Sequence, residues 1–437
     1  MGHASEKMIE VSERGWEDVE GSICLTHIDD LFLAASIGEP TENACSFCGR
    51  SSASDGAIAV QLQNLMVPFM ETFWQFYTRL DDAPRFDGQF AGTTDTESAV
   101  GELAEVAFSG DVLDEVAAAI CSSISDLEVG TWGASMDHEG LRLLWEEFAT
   151  TVKHTSRFVM PATQVTRGTI SPADRVLRFL ETLEVYASDE SGLIDILERG
   201  SSIYRARTIS ALPSTYSSDP SKVPYSARGL GPAPKMAASA NRMSPAGIPM
   251  FYGATSSNTA VAEIAAHSPE EYAVVGKFMA LRPLRVLNLA AIPELPSIFD
   301  MKRRDDYYAL TFLTEFADHV SAPVIPDGRE HISYVPTQVI TEYVRWQIEP
   351  PLDGIAFQSS QGAEGLNYVL FMDSSGVIDG SESISESLFE QLVVDMDASQ
   401  TPLLELQGQE VQIVALTRSV ATRVVQTRSG GRWVTET

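Results

Sequence analysis

Four residues near the N-terminus have the types and the spacing of a metal site. Cys24 is followed after two residues by His27, and Cys45 is followed after two residues by Cys48. This spacing lets both side chains of a pair reach one ion from a tight turn, and thiolate and imidazole ligands suit Zn²⁺. Four protein ligands leave no open position, so the pattern predicts a structural Zn²⁺. The alternative is a Cys45–Cys48 redox pair beside an unrelated cysteine and histidine.

A second set of chemically capable side chains follows residue 200. Arg205 ends the β-like run "SIYR", Arg242 precedes "SPAG", Tyr252 ends the next strand-like run, Glu263 lies in a helical run, and Ser359 follows "DGIAFQ". Each residue alone has an ordinary structural interpretation: an ion-paired arginine, a core tyrosine, a paired carboxylate or a serine that caps a turn.

Taken together, their order resembles the RES domain, a family named for arginine, glutamate and serine. The resemblance covers roughly residues 200–375 and rests on Y-R, R-x-S-x-x-G, a strand ending F-Y, A-x-x-E, D-G-I-x-F-x-S and N-x-V-L-F. The paired metal ligands followed by helices resemble the HEPN/RES N-terminal domain that accompanies some RES domains. The resemblance implies a fold similar to ADP-ribosyltransferases and an NAD⁺-consuming activity. It also implies a relationship to bacterial toxins, which often occur in toxin–antitoxin pairs.

The resemblance also implies roles for individual residues. Arg205, Glu263 and Ser359 match the three name-giving positions, and Arg242 and Tyr252 match further pocket positions. The sequence departs from the family pattern at His27, where a cysteine is usual, and in the turn "AASANR", which is usually glycine-rich. It also lacks the arginine–histidine signature of ribonuclease HEPN domains, which argues against RNA cleavage.

These residue types suit NAD⁺. Arginine forks match phosphate oxygens and stay ionised, so Arg205 and Arg242 are predicted to bind the pyrophosphate. Tyr252 is predicted to stack on the nicotinamide ring. Cleavage of the nicotinamide–ribose bond builds positive charge on the ribose, which a carboxylate from Glu263 would stabilise. Ser359 is predicted to orient the ribose or nicotinamide by hydrogen bonding.

Composition limits the classes of protein. The chain has 437 residues, so two or three domains are expected. Its net charge of −31 disfavours a large nucleic-acid interface. No apolar run reaches membrane-spanning length and the N-terminus lacks a signal-peptide core, so a cytoplasmic protein without membrane contact is expected.

The pattern of elements predicts an α+β fold. A zinc-binding segment over 1–56 is expected to precede a helical domain over 57–195, which includes a well-signalled helix at 171–186. A mixed β core with helices, similar to ADP-ribosyltransferases, is expected over 196–437, with a C-terminal hairpin. The segment 211–240 is too long for a routine connection and is interpreted as a lid, a binding loop or a disordered insertion.

The favoured function is therefore that of a bacterial RES-type toxin or defence enzyme that cleaves NAD⁺, with water or phosphate as acceptor. Its expected partners are NAD⁺ and an antitoxin or regulatory protein. One alternative is a protein ADP-ribosyltransferase. Another is a catalytically inactive, zinc-stabilised binding or regulatory protein.

Overall fold

The computed structural model of the chain describes most of its length in several stretches. The described residues are 11, 14–52, 56–83, 85–86, 89–90, 93–124, 131–134, 145–146, 148–157, 180, 192–212, 225–266, 268–321, 328–361, 365–380, 402–417, 426–429 and 432–435. The helix predicted at 171–186 lies outside them apart from Leu180, and so does the part of the long loop at 213–224.

The described helices range from single turns to an eighteen-residue helix. They are α1 Leu31–Ser36, α2 Gln63–Phe76, α3 Thr96–Ala107, α4 Leu113–Ser123, α5 Ala227–Leu230, α6 Ser257–Ala265, α7 Arg304–Ser321, α8 Glu330–Ser333 and α9 Val335–Trp346. Short 3₁₀ turns lie at Leu25–His27, Lys235–Ala237, Met301–Arg303, Ser374–Gly376 and Gly408–Glu410, and a π turn lies at Thr151–Thr155.

The described strands are mostly short in the first half of the chain and longer in the second. They are β1 Ser22–Cys24, β2 Ala59–Gln61, β3 Tyr77–Arg79, β4 Arg85–Phe86, β5 Gln89–Phe90, β6 Thr93–Asp95, β7 Thr131–Ala134, β8 Ile194–Leu197, β9 Ser202–Ile209, β10 Phe251–Ala254, β11 Tyr272–Ala280, β12 Leu284–Asn288, β13 Gly354–Gln358, β14 Leu366–Leu370, β15 Val377–Asp379, β16 Leu404–Leu406, β17 Gln412–Ala415, β18 Gln426–Ser429 and β19 Arg432–Thr435.

The chain divides into two compact units that are not contiguous in sequence. The first comprises residues 1–186 and 291–319, and the second comprises 187–290 and 320–437. The first unit packs α2, α3 and α4 around an aromatic core that includes Phe69, Phe73 and Trp132. Phe299, from the segment after residue 290, is buried in the same core and lies 6.1 Å from Phe69 between ring centroids.

The second unit is built on a ten-stranded mixed sheet with the order β15-β16-β11-β9-β10-β14-β13-β12-β8. The strand β17 pairs with one half of β11, next to β16 on the other half. The pairs β12–β13 and β15–β16 are parallel, and the remaining pairs are antiparallel. Helices together with this mixed sheet confirm the predicted α+β class. The tail also carries a separate hairpin formed by β18 and β19.

Strand β9 pairs very differently with its two neighbours in the sheet. β9 pairs with β11 over its whole length, from Ser202 to Ile209. Its register with β10 on the other side consists of one pair, Tyr204 with Ala254. Backbone groups beyond that pair are therefore available to side chains or to a ligand.

None of the helices that the structure describes is both long enough and apolar enough to cross a membrane.

Candidate functional site

The first candidate site is the cysteine and histidine cluster of the first unit. The ligand atoms of Cys24, His27, Cys45 and Cys48 all lie within 4.8 Å of one another. Cys24 ends β1, and His27 closes the 3₁₀ turn that follows it. Gly49 has a φ of 68° and closes the turn after Cys48, a backbone conformation that glycine adopts without steric cost.

The residues present fit a tetrahedral zinc ion. The Sγ atoms of Cys24 and Cys48 are 4.0 Å apart. The Nε2 atom of His27 is buried and has no hydrogen-bond partner among the described residues. A buried imidazole nitrogen without a partner is costly unless a ligand engages it. The structure therefore brings the four predicted metal ligands together and leaves the Nε2 of His27 without a hydrogen-bond partner among the described residues.

The second candidate site is a cavity of about 440 Å³ within the second unit. That volume lies in the range of about 300–1,000 Å³ that is usual for pockets binding small organic molecules. The charged side chains among its described lining are Arg205, Arg207, Arg242 and Glu263. Three cations and one carboxylate make this a positive pocket in a protein whose net charge is −31.

Arg205 lies on β9, where that strand and β10 are not paired. Its Nη1 donates to the carbonyl oxygen of Tyr252 at 2.8 Å, and its guanidinium lies 5.0 Å from the ring centroid of Phe251. Burial, together with the nearby charge of Arg207, lowers the pKa of Arg205 to about 9. Arginine still carries its charge at neutral pH under these conditions, so the cavity keeps a buried cation.

Arg242 lies on a turn whose backbone accepts hydrogen bonds from side chains of α9. Asn241 and Ser244 exchange backbone hydrogen bonds across this turn, at 2.8 and 3.2 Å. Thr337 donates to the carbonyl of Arg242 at 2.6 Å, and Gln338 donates to that of Asn241 at 2.7 Å. Burial lowers the pKa of the Arg242 guanidinium. Side chains of α9 thus fix the turn.

Tyr252 lies on β10, and its ring also lines the cavity. Its hydroxyl is 2.9 Å from the Oγ of Ser244, in the turn that carries Arg242. Burial raises the pKa of Tyr252 to about 12, although the hydrogen bond to Ser244 and the charge of Arg205 act in the opposite direction. The phenol is therefore neutral throughout the physiological range and can donate a hydrogen bond.

Glu263 projects from the face of α6 that lines the cavity. Ala260 and Ile264 line the cavity with it, at the spacing of one helical face. Ser256 caps this helix, and its Oγ accepts from the amide of Thr259 at 3.0 Å.

One oxygen of the Glu263 carboxylate is held by two neutral donors. Its Oε1 accepts from the hydroxyl of Ser359 at 2.6 Å and from the amide of Asn367 at 2.7 Å. No residue described in the structure donates to its Oε2. Ser359 is buried and contacts the carboxylate, whereas its neighbour Ser360 lines the cavity. The carboxylate is therefore fixed in place with one oxygen left for a ligand.

The structure thus brings Arg205, Arg242, Tyr252 and Glu263 to one cavity, with Ser359 behind the carboxylate. Sequence reasoning missed Asn367 and Arg207. Asn367 begins the quoted motif N-x-V-L-F, so its polar side chain inside an apolar strand was a usable signal. Arg207 lies two residues after Arg205, and a strand places residues two apart on the same face.

The described half of the long loop also belongs to this site. Residues 225–240 contain α5 and a 3₁₀ turn, and Ala233, Ala237, Ala238 and Ser239 line the cavity. Gly247 follows with a φ of 85°, and its amide donates to the carbonyl of Ala238 at 3.0 Å. That conformation favours glycine and accounts for the last position of R-x-S-x-x-G.

Comparison with known families adds two matches. Residues 216–388 match the family model of the RES domain, and residues 39–165 match that of HEPN/RES N-terminal domain 1. The first match includes Arg242, Tyr252, Glu263 and Ser359 and begins after Arg205. The second match includes Cys45 and Cys48. No curated protein and no solved structure matches the chain.

Proposed function

The chain is a RES domain protein with a HEPN/RES N-terminal domain 1, and from this premise we propose that it cleaves the nicotinamide–ribose bond of NAD⁺ in the cavity of its second unit. Its role would be that of a bacterial RES-type toxin or defence enzyme that depletes NAD⁺, restrained by an antitoxin or regulatory protein. The catalytic residue is Glu263, and the binding residues are Arg205, Arg242 and Tyr252.

The observation that carries this proposal is the state of the Glu263 carboxylate. Ser359 and Asn367 hold its Oε1, which fixes the plane of the group and directs Oε2 away from them. A preorganised negative charge is most useful where positive charge develops in a transition state. Loss of nicotinamide from NAD⁺ creates that charge on the ribose, in a transition state with oxocarbenium character.

The chemistry is a substitution at the anomeric carbon of the ribose. The bond between that carbon and the pyridine nitrogen breaks, its electron pair stays on the nitrogen, and neutral nicotinamide leaves. The positive charge passes to the ribose, where Glu263 stabilises it. Water then forms the new bond and releases a proton to solvent, giving ADP-ribose. With inorganic phosphate as the acceptor, a phosphate oxygen forms that bond instead.

The remaining side chains suit the rest of the substrate. Guanidinium groups bind phosphate oxygens through paired, charge-assisted hydrogen bonds, so Arg205 and Arg242 are assigned to the pyrophosphate. Tyr252 offers an aromatic face and a neutral hydroxyl, and it is assigned to the nicotinamide ring. Ser359 is a positioning residue that acts through the carboxylate.

The test is a time course of NAD⁺ with purified full-length protein, with and without phosphate, read by mass spectrometry. Nicotinamide with ADP-ribose is the expected result for hydrolysis, and an ADP-ribose phosphate that forms only with phosphate is expected for phosphorolysis. ADP-ribose attached to protein would mean that the chain is a transferase. Unchanged NAD⁺ in both buffers would overturn the proposal.

A structural Zn²⁺ is assigned to Cys24, His27, Cys45 and Cys48. The mutual approach of their ligand atoms and the unpartnered Nε2 of His27 support this assignment. A redox pair of Cys45 and Cys48 would leave the buried Nε2 of His27 without a partner. Zinc supplies no step of the NAD⁺ reaction in this proposal, because its four protein ligands leave no open position.

A further inference from the structure

The cavity contains one cation more than the proposed reaction uses. Arg205 and Arg207 are two apart on β9 and both line the cavity. Within the described residues, each makes one hydrogen bond through a terminal nitrogen, Arg205 to the carbonyl of Tyr252 and Arg207 to that of Gly231 at 2.7 Å. Neither uses its Nε, and within the described residues both Nε atoms are buried without a partner.

Among the described residues, these two guanidinium groups also have no counter-charge in contact with them. Neither forms an ion pair with a carboxylate in the part of the chain that the structure describes. Burial lowers the pKa of both groups, and for Arg205 the charge of Arg207 is a second cause. Two neighbouring buried cations repel each other and have lost their hydration. An anion between them would relieve both costs.

The pyrophosphate of NAD⁺ already has two cations assigned to it. Arg205 and Arg242 account for its two negative charges under the proposed function, on which this step rests. Arg207 is held in place by Gly231, a residue of the segment 225–240 that also lines the cavity. Its buried Nε therefore remains for a different anion.

We propose that Arg207 forms a second phosphate position, which takes a phosphate dianion in addition to the pyrophosphate of the dinucleotide. A planar guanidinium with an unused Nε–H suits a phosphate group, whose oxygens accept paired hydrogen bonds. The dianion can come from two sources. It is either the 2′-phosphate of a phosphorylated dinucleotide such as NADP⁺, or free inorganic phosphate bound beside the substrate.

The experiment measures binding, so it does not depend on turnover. Calorimetry with the full-length protein compares ADP-ribose, 2′-phospho-ADP-ribose, and inorganic phosphate with and without saturating ADP-ribose. The proteins are wild type, Arg207→Gln, Arg207→Lys and Arg228→Gln. Arg228 is exposed on α5 in the same segment, so its substitution removes an equal charge away from the cavity.

Two results support the proposal and identify the source. If wild type binds the 2′-phosphorylated ligand about tenfold more tightly than ADP-ribose, and Arg207→Gln loses that preference, the source is the 2′-phosphate. If wild type shows no preference but binds inorganic phosphate about tenfold more tightly than Arg207→Gln does, the source is free phosphate. In both cases Arg207→Lys should recover part of the effect, and Arg228→Gln should behave as wild type.

Other results overturn the phosphate position, the proposed function or both. Arg207→Gln could weaken ADP-ribose and its 2′-phosphate by the same factor, which would make Arg207 part of the pyrophosphate clamp or a support for residues 225–240. It could equally leave all three ligands unchanged. Phosphate binding that depends on Arg207 in a protein that does not bind ADP-ribose would contradict the proposed function while the phosphate position stands. A wild type that binds none of the ligands contradicts both.

Discussion

The metal cluster and the cavity differ in how their polar atoms are arranged and in how many of them lack a partner. In the cluster, four ligand atoms lie within 4.8 Å of one another, so one ion could engage them all. In the cavity, the Nε atoms of Arg205 and Arg207 and the Oε2 of Glu263 have no partner among the described residues. The metal cluster, whose ligands would all bind one ion, suits a structural role. The cavity, whose polar atoms keep unused hydrogen-bonding capacity, suits reversible binding of a ligand.

The two sites also differ in how the chain builds them. The cluster comes from residues 24–48, with Cys24 at the end of β1 and His27 in the 3₁₀ turn that follows it. The cavity draws on side chains from residue 204 to residue 368, supplied by strands, a turn and a helix. The cavity therefore depends on the register of the whole sheet. A change that disturbs this register should reduce activity while the zinc site keeps its ion.

The largest expected effect is the loss of a zinc ligand. Cys45→Ser removes one of four ligands, and structural zinc supplies folding free energy directly. We expect the variant to lose its stoichiometric zinc and to melt on the order of 10 °C below wild type. Metal content by atomic absorption and calorimetric melting check this.

Cys121→Ser is the matched control, because Cys121 lies on α4 outside the cluster. It should keep the metal and the melting temperature. Zinc retained by Cys45→Ser, or lost by Cys121→Ser, would rule out the assigned ligands.

The next effect separates the two sites. Glu263→Gln keeps an oxygen that can accept from Ser359 and Asn367 but removes the negative charge. We expect NAD⁺ loss to fall by about 10²–10³, with unchanged zinc content and melting. Glu271→Gln, at an exposed glutamate next to β11, should retain full activity. Continued NAD⁺ loss in Glu263→Gln would remove the carboxylate from the mechanism.

Much of the second unit could be predicted from local patterns. The alternating run "SIYRARTI" is β9 over its full length, and the runs around Tyr252, Val274, Ile355 and Val369 are also strands. Ser256 caps α6, as expected for a serine before a helical run, because its hydroxyl accepts from the first free amides. These features depend on neighbours in sequence, which one chain displays.

Long-range pairing could not be read in the same way. Nothing local states that β9 and β10 share a single residue pair, yet that feature lets Arg205 reach the carbonyl of Tyr252. Nor does a local pattern show that Ser359 and Asn367 meet on one oxygen of Glu263, about a hundred residues earlier. The apolar face of residues 291–319 likewise gives no sign that it packs into the first unit.

A smaller effect is expected where a residue acts through the carboxylate. Ser359→Ala removes one donor to Oε1 and leaves Asn367 in place. A hydrogen bond to a charged group is worth about 1.5–3 kcal/mol, so we expect kcat to fall about tenfold or somewhat more while KM changes little. Steady-state kinetics give both values.

Ser360→Ala is the control for this variant, because Ser360 lines the cavity and its hydroxyl accepts from the side chain of Gln361 instead of donating to Glu263. Its kcat should stay within about twofold of wild type. A Ser359→Ala enzyme with unchanged kcat and raised KM would mean that the serine binds substrate directly.

The smallest effect concerns the pH dependence of stability and the neutral phenol at the edge of the cavity. Burial raises the pKa of Tyr252 to about 12 from an ordinary value near 10. Between these values the unfolded chain loses the proton and the folded protein keeps it, so stability falls as pH rises from about 10 to 12. We expect the wild type to lose about 1–3 kcal/mol more than Tyr252→Phe across this range, measured by urea unfolding. The exposed Tyr225, changed to Phe, should follow the wild type. Parallel curves for wild type and Tyr252→Phe would show that this phenol is open to solvent.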